Sequence, residues 1–128
     1  MALTLNITGV ALDCDDVDEL INFYARITGT SVFYQTPEFA CLNMKSYWLT
    51  TQKVESYVAP TWPGSTTPKQ FHFEISATDL DEAETFVLEC GARKAQHQSS
   101  ADGSFRVYLD PAGHPFCLTT NVPDPASS

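Results

Sequence analysis

This sequence predicts an α+β fold built from two copies of one β-α-β-β-β unit. Three observations carry that prediction. Asp16-Val17-Asp18-Glu19 returns as Asp79-Leu80-Asp81-Glu82, 63 places further on. The same offset pairs Val10 with Phe73, Leu12 with Ile75 and Phe23 with Phe86. Helix-start signals and apolar positions therefore recur together, which is the mark of an internal structural repeat.

The elements follow in order. Residues 7–13 alternate apolar positions over a β-prone run, and residues 70–76 do the same in the second copy. Asp16 and Asp79 then stand where a helix N-cap is wanted, each with a glutamate three places on. Acidic side chains in those first turns also suit the positive end of the helix dipole. Beyond Val17, the residues Leu20, Ile21, Phe23, Tyr24 and Ile27 form a helical stripe that stops before Gly29. Beyond Leu80, Ala83, Phe86, Val87 and Cys90 repeat it before Gly91. Short strands are expected over 31–35, 39–44 and 47–52 in the first copy, and over 92–96, 104–109 and 115–119 in the second. Asp110-Pro111-Ala112-Gly113 is a turn signal between the last two.

The expected organisation is one domain over 1–120, with a first module at about 5–54, a connector over 55–69 and a second module at about 70–120. The connector is rich in Pro, Thr, Ser and Gly. Residues 121–128 are expected to be a disordered tail.

Seven basic residues stand against 16 acidic ones, a net charge of −9, and the cations are scattered. Such a field repels phosphate backbones and anionic lipid, so neither nucleic acid nor membrane is an expected partner. Cys14, Cys41, Cys90 and Cys117 contain no CxxC spacing, and no signal peptide or spanning segment is visible. Reduced thiols in a cytoplasmic protein are the expectation. No nucleophile motif, P-loop or dinucleotide fingerprint occurs.

Several segments carry a family likeness: Gln52-Lys53-Val54, Pro60-Thr61-Trp62-Pro63, residues 71–75 (Phe-His-Phe-Glu-Ile), Asp79-Leu80-Asp81, Cys90-Gly91-Ala92-Arg93 and residues 105–118. In these the chain resembles the vicinal oxygen chelate superfamily, especially its small bacterial glyoxalase-like and bleomycin-resistance-like proteins. The resemblance covers about Leu5 to Thr120. It implies a glyoxalase/bleomycin-resistance/dioxygenase-like fold of two βαβββ modules, each curling its sheet into a half-open cup, and often a twofold homodimer. In metal-using relatives four residues on the first and last strands of the modules hold a divalent ion, which acts as a Lewis acid.

The resemblance places Gly9, Gln52, His72 and Cys117 at those four positions. Gly9 offers no ligand and Cys117 stands where an acid is expected, so no resident metal is expected. Were one held, His72, Gln52 and Glu74 would carry it, since Glu74 shares a strand face with His72. Each candidate also has a plainer reading. His72 is a pocket hydrogen-bonder or a buried structural histidine, Cys117 a small packing residue, and Gln52 a polar group orienting a ligand. Trp48 lies four places before Gln52 on one strand face, and either walls a flat ligand or packs against a helix. Trp62 reads as an anchor of the connector or an interface residue. Arg106 either faces the cup and meets an anionic ligand group or pairs with a surface carboxylate.

The expected function is therefore small-molecule binding in a cup-shaped pocket without a metal, the ligand aromatic or amphipathic. The alternative is a divalent-metal-dependent lyase, isomerase or dioxygenase.

Overall fold

The computed structural model describes residues 3–64 and 66–120 of the chain. The tail expected beyond residue 120 lies outside the described residues. The chain divides into two compact units, Met1–Tyr57 and Val58–Ser128.

The first unit runs β1 (Gly9–Cys14), α1 (Val17–Thr28), β2 (Val32–Gln35), β3 (Phe39–Asn43) and β4 (Trp48–Lys53). The second repeats this order as β5 (Phe73–Ser76), α2 (Leu80–Cys90), β6 (Arg93–Lys94), β7 (Phe105–Leu109) and β8 (Pro115–Thr119). Each unit holds one four-stranded sheet, in the orders β1-β4-β3-β2 and β5-β8-β7-β6. In both, the first strand pairs parallel with the last and the other neighbours are antiparallel. The repeat legible in the sequence is thus a repeat of topology.

The helix starts are built as the capping pattern requires. The Asp16 carboxylate accepts from the Glu19 N–H at 3.0 Å, and Asp79 accepts from the Glu82 N–H at 3.0 Å. Such a cap contributes about 1 kcal/mol. Gly29 ends α1 with φ +69°, the left-handed conformation of a helix C-terminus.

The two helices bury their faces unequally. On α1, Val17, Leu20, Ile21, Phe23 and Tyr24 are all buried, each large side chain contributing about 1.5–3 kcal/mol. On α2 only Val87 and Cys90 are buried. The equivalence of Phe23 and Phe86 therefore holds in sequence and fails in packing, since Phe23 is 2% exposed and Phe86 44%. What α2 lacks in apolar contact is partly replaced by polar ties. Glu84 takes the Lys94 ammonium at 2.9 Å and the Tyr108 hydroxyl at 2.8 Å.

Those contacts hold the Glu84 carboxyl below the ordinary 4.5, chiefly through the Lys94 hydrogen bond, with burial opposing and Tyr108 assisting. A depressed folded-state pKa contributes stability that is present above the unfolded value and lost as pH falls through the folded one. Wild-type protein is accordingly expected to lose stability more steeply below about pH 4.5 than the Glu84→Gln variant. Urea midpoints measured from pH 6 to pH 3 check this, and parallel curves would refute it.

Two local features depart from the sequence expectation. The strand expected over 92–96 shortens to Arg93–Lys94. After it the Gln98 side chain takes over the pairing, donating to the Val107 carbonyl and accepting from the Val107 N–H, both at 2.8 Å. An amide side chain thus stands in for a strand peptide and fixes Val107. The connector is also more ordered than its composition suggests. Thr61 and Thr67 are joined by their backbones at 2.6 Å and by the Thr61 hydroxyl in both directions at 3.1 Å. That clasp returns the chain so that Lys69 comes back to Trp62.

Candidate functional site

Strand alternation decides which side chains face away from the helices. On β7, Tyr108 and Arg106 turn toward α2, where they meet Glu84 and Asp81. Phe105 and Val107 therefore face the other way. On β8, Phe116 stacks on Tyr108 with ring centroids 5.5 Å apart, so Cys117 shares the face of Val107. Glu74 is the direct register partner of Cys117 across the parallel β5–β8 pair. His72, two residues earlier and just before β5, falls on the same side.

The result is a cavity of about 200 Å³ within the second unit. Its apolar walls are Trp62, Phe105, Val107, Pro115 and Cys117, and its polar edge carries Lys69, His72, Glu74 and Ser99. Beneath it Cys117 packs with Ala95 and Val107, while Trp62 and Phe105 lean on that cluster. His72 Nε2 lies 2.7 Å from Glu74 Oε1, so these two partner each other. Lys69 Nζ lies 4.5 Å from the centre of the Trp62 ring. The Trp62 Nε1–H is buried and meets no acceptor among the described residues.

Cys117 is 5% exposed, and its thiol is pushed up to about 11, first by burial and then by the Glu74 carboxylate. It is a neutral thiol at physiological pH and a poor nucleophile. Its side chain both packs in the cluster with Ala95 and Val107 and lines the cavity.

The structure brings together His72, Glu74 and Cys117 from the expected site residues. Trp48 and Gln52 share one face of β4 in the first unit, and Trp48 is half exposed, its ring 6.0 Å from that of Phe33. Trp48 therefore does not pack beneath the helix. It borders a shallow depression with Ile7, Lys45 and Tyr47. Of the two readings open for Arg106, the structure shows the pairing with carboxylates, and the side chain does not face the cavity. Its guanidinium lies 2.8 Å from Asp81 and 3.5 Å from Glu84, because the alternation of β7 aims it at α2. Trp62, Lys69 and Phe105 were not named as site residues by sequence reasoning. The signal available for the first two was only an aromatic residue and a cation flanking a Pro- and Thr-rich loop. His97 is exposed in its loop, with its ring 6.4 Å from that of Trp62, and His114 lies 6.2 Å from Phe71 in the hairpin turn.

A divalent ion of the kind the family resemblance implies finds a poor donor set at the four positions assigned to it. Gly9 has no side chain, and a Cβ there would lie 2.8 Å from the Trp48 carbonyl oxygen. Cys117 replaces the hard oxygen donor that Mg²⁺ or Mn²⁺ prefers. A different trio is better placed. One donor atom each from His72, Glu74 and Cys117 lie within 4.8 Å of one another. This nitrogen, oxygen and sulfur set suits a borderline-soft ion such as Zn²⁺.

The comparisons with known proteins agree on the fold. A family model described as a glyoxalase-like domain matches residues 9–119. No curated protein sequence matches. Among solved structures, the genomically encoded fosfomycin resistance protein FosX of Listeria monocytogenes, in a mutant form complexed with Mn(II) and a dihydroxypropylphosphonic acid, superposes with a TM-score of 0.70 at 14% identity. That match covers 98% of this chain and 100% of the other. A glyoxalase/bleomycin resistance protein/dioxygenase family enzyme of Burkholderia phytofirmans gives 0.68 at 14% identity, over 89% of this chain and 97% of that one. A lactoylglutathione lyase of Agrobacterium tumefaciens gives 0.60 at 21%, over 89% and 92%. None of the described helices is long and apolar enough to cross a membrane. The fold is that of these solved structures, two βαβββ modules, and a family model that spans nearly the whole described chain places the protein in the glyoxalase-like domain family.

Proposed function

We propose that this protein binds a small, largely apolar molecule in the cavity of its second module, and that binding requires no metal ion. The observation that carries this reading is the cavity of about 200 Å³ walled by Trp62, Phe105, Val107, Pro115 and Cys117. Concave, mostly apolar sites with a few polar groups on one side are the usual form of a small-molecule site. A dry cavity of about 150 Å³ elsewhere suffices for benzene, so a ring with one substituent is of suitable size. A cytoplasmic twofold homodimer accompanies the reading by analogy with the family resemblance.

The test is thermal unfolding against a panel of single-ring aromatic compounds. A ligand at about 100 times its Kd stabilises the native state by about 2.7 kcal/mol, which the melting temperature registers. Val107→Phe, which places a ring in the cavity, is expected to remain folded and to lose the shift. A shift that survives in that variant would move the site elsewhere.

One observation favours a second reading, a metal-dependent lyase, isomerase or dioxygenase: the convergence of His72, Glu74 and Cys117. A bound ion would act as a Lewis acid gripping two neighbouring oxygens of a substrate. Elemental analysis after dialysis against mixed divalent metals separates the two readings. A near-stoichiometric metal that disappears in His72→Ala supports the second. Metal-free protein that still gives the aromatic shift supports the first.

A further inference from the structure

We infer that the ligand of this cavity is a small aromatic anion whose acidic group is received by Lys69; the inference rests on the binding reading above. Some polar groups of the cavity are already satisfied within the protein. His72 and Glu74 partner each other at 2.7 Å. The Trp62 Nε1–H is buried with no acceptor among the described residues. Lys69 has no carboxylate within salt-bridge distance among the described residues, and its ammonium rests over the Trp62 ring instead. The Trp62 N–H has almost no accessible surface and does not open into the cavity, so the cationic donor without a carboxylate partner at the cavity's polar edge is Lys69.

The missing group is an oxygen acceptor with negative charge. A carboxylate supplies two acceptor oxygens, and a hydrogen bond to an ionised group is roughly twice as strong as a neutral one. The rest of the cavity asks for a flat apolar body, because Trp62 and Phe105 offer ring faces and Val107 and Pro115 fill the sides. Glu74 also lines the cavity and repels an anion, but one of its oxygens is held by His72. The protein carries a net charge of −9 with only seven basic residues, so an anion has little general attraction to its surface. Recognition of an acid here must be local, and Lys69 is the basic residue that lines the cavity.

The experiment uses the full chain and isothermal titration with three probes of one size: benzoate, benzamide and benzylammonium. Benzoate is expected to bind about tenfold more tightly than benzamide, with benzylammonium weaker still. Lys69→Gln is expected to reduce benzoate affinity about tenfold and to leave benzamide unchanged. Trp62→Phe keeps an aromatic ring, removes an N–H that does not open into the cavity, and is expected to leave the preference for benzoate over benzamide unchanged. Urea denaturation of both variants confirms that they are folded. Benzamide or benzylammonium binding as tightly as benzoate would overturn the anion and leave the cavity reading standing. Failure of all three probes would overturn the cavity reading, and this inference with it.

Discussion

Gly113→Ala is expected to destabilise the protein by about 2–5 kcal/mol, although it adds a single methyl group to a turn. Two costs add at this position. Gly113 sits at φ +90°, where an L side chain is strained by about 1–2 kcal/mol. Its new Cβ would also lie 2.8 Å from the Ala59 Cβ, and relieving such an overlap costs about 1–3 kcal/mol. The turn has little freedom to yield. Asp110, wholly buried, accepts from the Ala112 N–H at 2.9 Å and the His114 N–H at 3.0 Å through one carboxylate oxygen. The Gly113 N–H is held by the Asp110 carbonyl at 2.8 Å. Gly29 supplies the control, since its φ is +69° but nothing lies within 4 Å of its added Cβ. Gly29→Ala should therefore pay only the backbone strain of about 1–2 kcal/mol. The difference between the two urea-derived stabilities isolates the contact with Ala59. Equal losses would show that the contact relaxes without cost. The functional consequence follows from the chain order, because the turn leads into Pro115 and Cys117, both of which line the cavity.

The fold was legible because its determinants are local. Asp16 and Asp79 cap helices through their own next turn, and alternation sets each strand's faces without reference to distant residues. The Asp110–Gly113 turn could likewise be read from residue types alone. What local signals could not supply was the depth to which an element is buried. Phe23 and Phe86 hold equivalent places in their helices, yet only the first is covered. Nor could they show that the Gln98 amide would replace strand pairing beside Val107, because an isolated glutamine in a polar loop carries no mark of its partner.

The site was legible in part, for a related reason. His72, Glu74 and Cys117 could be placed together because two of them share one strand face and the family resemblance assigns the third a companion ligand position on the module's last strand. The helix side of Arg106 could not be fixed, since a strand's alternation gives two faces and does not say which one meets the helix. Trp62 and Lys69 were harder still. They are seven residues apart on an irregular connector, where no periodicity predicts which side chains converge. Their meeting depends on the Thr61–Thr67 clasp, a set of hydrogen bonds that any Thr-rich loop could have arranged differently.

Gly9→His is expected to lower stability by about 1–3 kcal/mol and to create no metal site, although it restores a ligand type at a position where metal-using relatives are expected to carry one. A Cβ at position 9 would stand 2.8 Å from the Trp48 carbonyl oxygen and 3.2 Å from the Trp48 Cβ. The nearer atom belongs to the backbone, so no side-chain rotation relieves it. Nor can β1 step away freely, because Gly9 and Trp48 are direct register partners and the Trp48 N–H donates to the Thr8 carbonyl at 2.8 Å. Any L side chain must therefore prise the start of β1 from β4, and Gly9→Ala should cost nearly as much as Gly9→His. Urea denaturation of both variants, with Zn²⁺ and Mn²⁺ titrations of the histidine variant, checks the pair of claims. A histidine variant of unchanged stability that gains about tenfold in affinity for either ion would show that the position is open. If instead both variants are weakened alike and neither ion binds better, the glycine is required by the β1–β4 pairing itself. A metal-ligating first module would then need a compensating change at Trp48 as well as a new residue at position 9, which leaves His72, Glu74 and Cys117 as the convergent donors among the described residues.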